Sequence, residues 1–145
     1  MKSARDVMTE HPATCTVDAP LGAVAKLMVQ HDCGEIPVLD ESGDLVGVVT
    51  DRDIVCRLVA SGKNPLECTA EMAMTSPPIS VTTDAPLDEV LGVMERHQIR
   101  RVPVLDQDDR CVGMIGQADL VWAAGGKDVV KLIRDVSRDT DQPSR

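Results

Sequence analysis

The residues best placed to do chemistry are the run Gly47-Val48-Val49-Thr50-Asp51-Arg52-Asp53. It reads as an apolar strand that ends at Thr50 and passes into a helix start. Backbone N–H groups at a helix N-terminus attract anions, phosphate above all. The Thr50 hydroxyl adds a donor at that point, and Gly47 would keep the approach free of a side chain. Asp53 falls in the first helical turn. A carboxylate placed there can accept two hydrogen bonds from a vicinal diol, as acidic residues do on ribose in dinucleotide-binding folds. Thr50 on phosphate and Asp53 on ribose therefore make a coherent nucleotide site. The same Thr-x-x-Asp spacing is also a plain helix-capping pattern, and the motif alone supports both readings equally.

Other reactive side chains form weaker patterns. His11, Cys15, His31 and Cys33 could supply a metal site, but their spacing offers nothing beyond proximity. No Ser-His-Asp or Cys-His arrangement with a third, orienting partner is visible, so an enzyme is not expected. The five cysteines are odd in number and lack a Cys-x-x-Cys pair. They read as reduced thiols of a cytoplasmic protein, with Cys56 and Cys111 as small core residues.

Composition narrows the partners. The 145 residues carry a net charge of −9 and no Lys/Arg-rich run, which disfavours nucleic acid and anionic membrane surfaces. Phe and Tyr are absent and Trp122 is the single tryptophan, so stacking of bases on aromatic rings is largely unavailable. No apolar stretch approaches the ~20 residues of a membrane span. Nor do the polar residues Met1 to Glu10 resemble a secretory signal.

The elements that must hold Thr50 and Asp53 occur twice. Met8-Thr9 returns as Met74-Thr75, Thr16-Val17-Asp18-Ala19-Pro20-Leu21 as Thr82-Thr83-Asp84-Ala85-Pro86-Leu87, and Ile36-Pro37-Val38-Leu39-Asp40 as Val102-Pro103-Val104-Leu105-Asp106, always 66 positions later. Each copy begins with a short strand, Ala13 to Val17 or Ile79 to Thr83. Asp18 or Asp84 then stands where an N-cap belongs. Apolar residues at Leu21, Val24, Ala25 and Met28, and at Leu87, Val90, Leu91 and Met94, give the stripe of an amphipathic helix. Gly34 suits the end of the first helix. Two apolar strands around a polar turn form a hairpin, and a helix near Asp51 or Gln117 closes the copy.

The fold class is thus α+β, two β-α-β-β-α repeats. The divisions are 1–60 for repeat one, 61–73 for a connector, 74–124 for repeat two and 125–145 for a C-terminal helix and tail. A copy of this size is marginal alone, so the two are expected to pack as a pseudo-twofold pair with clefts between them. Trp122 reads as a core or interface residue. Apolar residues outside the helix stripes, such as Leu27 and Val29, suggest a second burial surface and a C2 homodimer. Val129, Leu132, Ile133 and Val136 stripe the last helix. That helix, Lys127 to Arg138, is a candidate contact for an unknown protein partner.

In combination, and repeated in register, Val7-Met8-Thr9, Asp18 to Leu21, Ile36 to Asp40 and Gly47 to Asp53 resemble a tandem CBS-domain protein, or Bateman module, over about residues 4–124. The resemblance implies an adenine-nucleotide-binding regulatory module acting in trans, without catalysis. AMP, ADP or ATP is the expected ligand, with NAD or S-adenosylmethionine possible. It implies phosphate contact at Thr50, ribose contact at Asp53, and adenine among Ala13, Thr14, Ile36 and Pro37. Asp119 matches the ribose position of copy two, but Gly116 replaces the hydroxyl residue, so that site is expected to be the weaker. Arg100 and Arg101 are either a phosphate clamp or solvated arginines. The alternatives are a ligand-free structural or interaction module and a thiol- or metal-based sensor.

Overall fold

The computed structural model describes residues 2–123 and Arg134. The first elements are α1 (Ala4–Val7), β1 (Thr9–Glu10), β2 (Cys15–Thr16), α2 (Leu21–His31), β3 (Glu35–Leu39) and β4 (Leu45–Thr50). A helical segment follows, α3 (Asp51–Asp53) continued by a π-helical stretch, Ile54–Val59. After a 3-10 turn, Pro65–Glu67, come α4 (Ala70–Ala73), β5 (Val81–Thr82), α5 (Leu87–His97), β6 (Arg101–Leu105), β7 (Cys111–Gly116) and α6 (Gln117–Ala123). The β-α-β-β-α order expected of each copy is present. The last helix expected from the Val129–Val136 stripe lies outside the described residues.

The chain forms two compact units whose members are exchanged between the copies. Among the described residues one comprises 12–78 with 109–111; the other comprises 2–11, 79–108 and 112–123. The segment entering each copy therefore packs on the other copy. Ala70 N–H donates to Ala19 C=O and Glu71 N–H to Val17 C=O, at 2.8 and 3.0 Å. In the other unit Ala4 N–H donates to Ala85 C=O and Arg5 N–H to Thr83 C=O, at 2.8 and 2.9 Å, the same bonds 66 positions apart. The packing units thus cross the contiguous divisions read from the sequence.

In the first unit β2 runs parallel to β3, which pairs antiparallel with β4, and Thr75 adds an antiparallel bridge to Val48. In the second unit the strand order is β1-β7-β6-β5, with Thr9 opposite Met114, the equivalent bridge grown into a two-residue strand pair. Leu21, Val24, Ile36, Val38, Val49 and Leu58 form the first core, joined by Cys68, Ala70 and Ala73 of the exchanged segment. Val90, Met94, Val102, Val104, Ile115 and Leu120 form the second, joined by Ala4. Each such aliphatic side chain stabilises its unit by about 1.5–3 kcal/mol on full burial.

Several local expectations are corrected. The first strands are shorter than read, two residues each. Asp18 and Asp84 do not cap α2 and α5. They accept the Thr16 and Thr82 hydroxyls, at 2.6 and 2.7 Å, and the N-cap positions are Pro20 and Pro86. The leading amides bond instead to carbonyls of the exchanged segments: Leu21 N–H to Cys68 C=O and Leu87 N–H to Lys2 C=O. A backbone carbonyl supplied by tertiary structure thus satisfies a helix-terminal donor that a side chain would otherwise have to meet. Asp32 and Gln98, not Gly34, end these helices in the left-handed conformation, at φ 49° and 54°. Ala25 is exposed although it belonged to the α2 stripe. Cys56 is exposed, not a core residue, and Trp122 is 89% exposed.

Candidate strand-to-helix ribose site

Thr50 and Asp53 stand where β4 passes into α3. The turn is closed by reciprocal bonds: Asp53 N–H donates to Thr50 Oγ1 and Thr50 N–H to Asp53 Oδ2, both 3.0 Å. This is a capping box. It holds the carboxylate at the strand end, with the Thr50 oxygen accepting from the Asp53 N–H.

Two further groups reach Asp53. Thr75 Oγ1 lies 3.4 and 3.5 Å from the two carboxylate oxygens, and Arg57 Nε lies 3.6 Å from Oδ1. Arg57 also donates to Met74 C=O at 3.1 Å and to Thr75 Oγ1 at 3.3 Å. The Asp53 side chain is only 14% exposed and Arg57 51%, so the carboxylate sits under a partly solvated guanidinium. Sequence reasoning did not single out Arg57 or Thr75. The repeated Met-Thr pair carried the signal for Thr75; nothing local marked Arg57.

Copy two builds the same junction where β7 meets α6. Gly116 N–H donates to Asp119 Oδ2 at 2.8 Å, and Thr9 Oγ1 lies 3.2 Å from Asp119 Oδ1. Asp119 makes no ion pair among the described residues; the position equivalent to Arg57 is Ala123. Within this unit Arg101 lies against the junction. A Cβ added to Gly116 would meet Arg101 Cγ at 3.6 Å and Asp119 Oδ2 at 3.9 Å. Arg100 is exposed beside it.

The remaining expected contacts lie in the unit of Thr50 and Asp53. Pro37 stands opposite Val48 and Ile36 opposite Val49 in the β3–β4 register. The Ile36 side chain is 0% exposed, inside the core. Ala13 packs at the core edge, and the half-buried Thr14 leads into β2. Gly47 has a different role from the open approach read in sequence. Its missing Cβ makes room for Met74, whose Sδ would lie 2.6 Å from that atom. Gly113 makes the same room for Met8.

The thiols and imidazoles do not gather. Among the described residues no group of three or more His, Cys, Asp and Glu is placed to hold a metal ion. Burial pushes the Cys15 thiol up to about 11, which keeps it protonated and weakly nucleophilic at neutral pH. No helix among the described residues is long and apolar enough to cross a membrane.

Comparison with known proteins identifies the architecture. The family model for the CBS domain matches residues 4–60 and 70–126. Hypoxic response protein 1 of Mycobacterium tuberculosis is 34% identical over 136 residues, 94% of each chain. The CBS domain-containing protein YhcV of Bacillus subtilis is 38% identical over 120 residues, 83% of this chain and 84% of that one. Among solved structures, Hypoxic Response Protein I with two coordinated zinc ions superposes with a TM-score of 0.76 at 36% identity, covering 86% of this chain and 100% of that one. The CBS domain pair of protein MJ0100, in complex with 5′-methylthioadenosine and S-adenosyl-L-methionine, superposes with a TM-score of 0.77 at 31% identity, covering 88% and 98%. The repeat, the doubled junction and these likenesses agree: the chain belongs to the CBS-domain family, as two CBS domains in tandem.

Proposed function

We propose that this protein is a regulatory module that binds an adenosine-containing ligand, catalyses nothing itself and acts in trans on a protein partner. The observation that carries the reading is the pair of carboxylates, Asp53 and Asp119, each held by a backbone N–H at the same strand-to-helix junction. A carboxylate fixed beside a helix start can accept both hydroxyls of a ribose, and the helix N-terminus favours an anion nearby. The likeness to the MJ0100 CBS pair supports an adenosine ligand. Thr50 and Arg57 beside Asp53, and Arg100 and Arg101 beside Asp119, are the groups offered to its phosphate. Ala13, Thr14 and Pro37 would lie near the base. We place the protein in the cytoplasm as a homodimer; exposed Val29, Val55, Val59, Leu66 and Met72 are the apolar surface that association would cover.

One observation favours a second reading. Thr50 and Asp53 satisfy each other as a capping box, so their presence is accounted for without a ligand, as in a purely structural CBS pair. Thermal unfolding separates the two. With AMP, ADP, ATP, NAD or S-adenosylmethionine at about a hundredfold excess over the dissociation constant, a binder gains roughly 2.7 kcal/mol. For a chain of this size that raises the midpoint by about 3–5 °C. The gain should shrink in Asp53→Ala or Asp119→Ala. No shift with any of the five, on protein freed of carried-over ligand, would leave the structural reading standing.

A further inference from the structure

The exchanged segments bring a threonine to each ribose carboxylate. Thr75 reaches Asp53 from the segment before copy two, at 3.4 and 3.5 Å from its oxygens, and Thr9 reaches Asp119 from the segment before copy one, at 3.2 Å. The two threonines stand 66 positions apart in the sequence, as do the two aspartates. The same contact is thus built twice, from different neighbours. The packing that delivers it is also repeated. Each segment bridges the strand carrying the motif, Thr75 opposite Val48 and Thr9 opposite Met114, and each inserts the preceding methionine over a glycine, Met74 over Gly47 and Met8 over Gly113. Backbone pairing and methionine packing together fix where the hydroxyl stands.

We propose that Thr75 and Thr9 are positioning residues for ligand binding, orienting the Asp53 and Asp119 carboxylates toward a ribose diol. The proposal rests on the nucleotide-binding reading above. The N-cap amide holds one oxygen, Oδ2, in both copies. That bond alone leaves the carboxylate able to rotate about it; in copy one Arg57 Nε, 3.6 Å from Oδ1, adds a second, partly solvated restraint. A hydroxyl from the exchanged segment lies over both oxygens of Asp53 in copy one and at Oδ1 of Asp119 in copy two, and limits that rotation. At 3.2–3.5 Å these contacts are longer than a full O–H···O bond, so their effect is orientation rather than strong stabilisation. Both threonines are exposed, and an isosteric replacement removes the hydroxyl without disturbing a core.

The test uses the full chain with AMP and 5′-methylthioadenosine as probes, followed by calorimetry. In an Asp119→Ala background, which leaves the Asp53 site, Thr75→Val should weaken binding about threefold to tenfold, the range of one ordinary hydrogen bond. Thr75→Ser, which keeps the hydroxyl, should stay within about twofold of the parent. The loss should disappear with 2′-deoxy-AMP, which cannot use both carboxylate oxygens. Thr9→Val in an Asp53→Ala background should repeat the pattern. If Asp53→Ala abolishes binding but Thr75→Val binds like its parent, the positioning role is overturned while the nucleotide reading stands. It is equally overturned if Thr75→Ser loses as much as Thr75→Val, or if 2′-deoxy-AMP shows the full loss. Failure of the wild-type chain to bind either probe would remove the nucleotide reading and this inference with it.

Discussion

The junctions at Thr50–Asp53 and Gly116–Asp119 share a backbone plan and differ in what surrounds the carboxylate. In copy one a hydroxyl completes the cap and Arg57 pairs with the acid. In copy two the hydroxyl and the arginine are replaced by Gly116 and Ala123, and Arg101 approaches from the neighbouring strand. From the motif alone, copy one is the better phosphate site. In the folded units Arg57 pairs with Asp53, whereas Asp119 makes no ion pair among the described residues and has only the Arg101 stem packed near its junction. The difference teaches that the two copies repeat the position of the acid and its backbone bond while the charged partner of copy one has no counterpart at the equivalent position, Ala123.

The comparison can be broken most forcefully at the glycines beneath the two methionines. Gly47→Ala forces Met74 and the Thr75 backbone to move and should lower stability by about 1–3 kcal/mol in denaturant unfolding, the cost of overpacking. Gly113→Ala should do the same against Met8. Combining Gly47→Ala with Met74→Ala should cost less than the sum of the two, because the clash is shared. Gly92 sits in α5 with nothing within 4 Å of an added Cβ, so Gly92→Ala should instead gain about 0.5–1 kcal/mol. Equal effects at all three glycines would show that the methionine packing is not what excludes a side chain.

A smaller effect sharpens the contrast between the caps. Thr50→Ala should cost about 1 kcal/mol by urea midpoint, because Asp53 N–H loses its acceptor. Gly116→Thr should add only a few tenths of a kcal/mol, since glycine is itself tolerated at an N-cap. It should also strengthen phosphate-bearing ligands at copy two more than 5′-methylthioadenosine. A gain indifferent to phosphate would assign Thr50 to capping alone.

The smallest effect concerns the first strands, where Cys15 in copy one matches Val81 in copy two. Burial raises the folded Cys15 thiol from an ordinary 9.0 to about 11. Between these values the unfolded chain ionises and the folded chain does not, so the protonated thiol's contribution to stability is complete below pH 9 and is lost as pH rises toward 11. Cys15→Val should remove that part of the alkaline decline. At neutral pH the exposed Cys56 should react with iodoacetamide well before Cys15, read by peptide mass.

Much of this was legible before any coordinates. The offset of 66, the hairpins around Asp40 and Asp106, the amphipathic α2 and α5, and the helix starts at Asp51 and Gln117 follow from local periodicity and turn chemistry. The candidate acids were legible because a carboxylate three residues beyond a strand end is itself a local pattern. Arg57 was not, because a half-exposed arginine on a helix looks like any solvated charge until Met74 C=O and Thr75 are brought to it. Cys56 was misjudged, and Trp122 is not a core residue, because hydrophobicity names residues that can be buried, whereas burial depends on which face the rest of the chain covers.

The sequence by itself determined that there are two copies, what each is made of, and which acids begin their closing helices. Those features depend on interactions within a few residues, and similar local sequences repeat them. Only the tertiary structure decided that residues 2–11 pack with copy two and 70–78 with copy one. Both segments carry the same Met-Thr pair and both copies offer a glycine to receive it, so local chemistry fits either pairing. Chain connectivity and long-range core packing select one, and with it which threonine stands beside which aspartate.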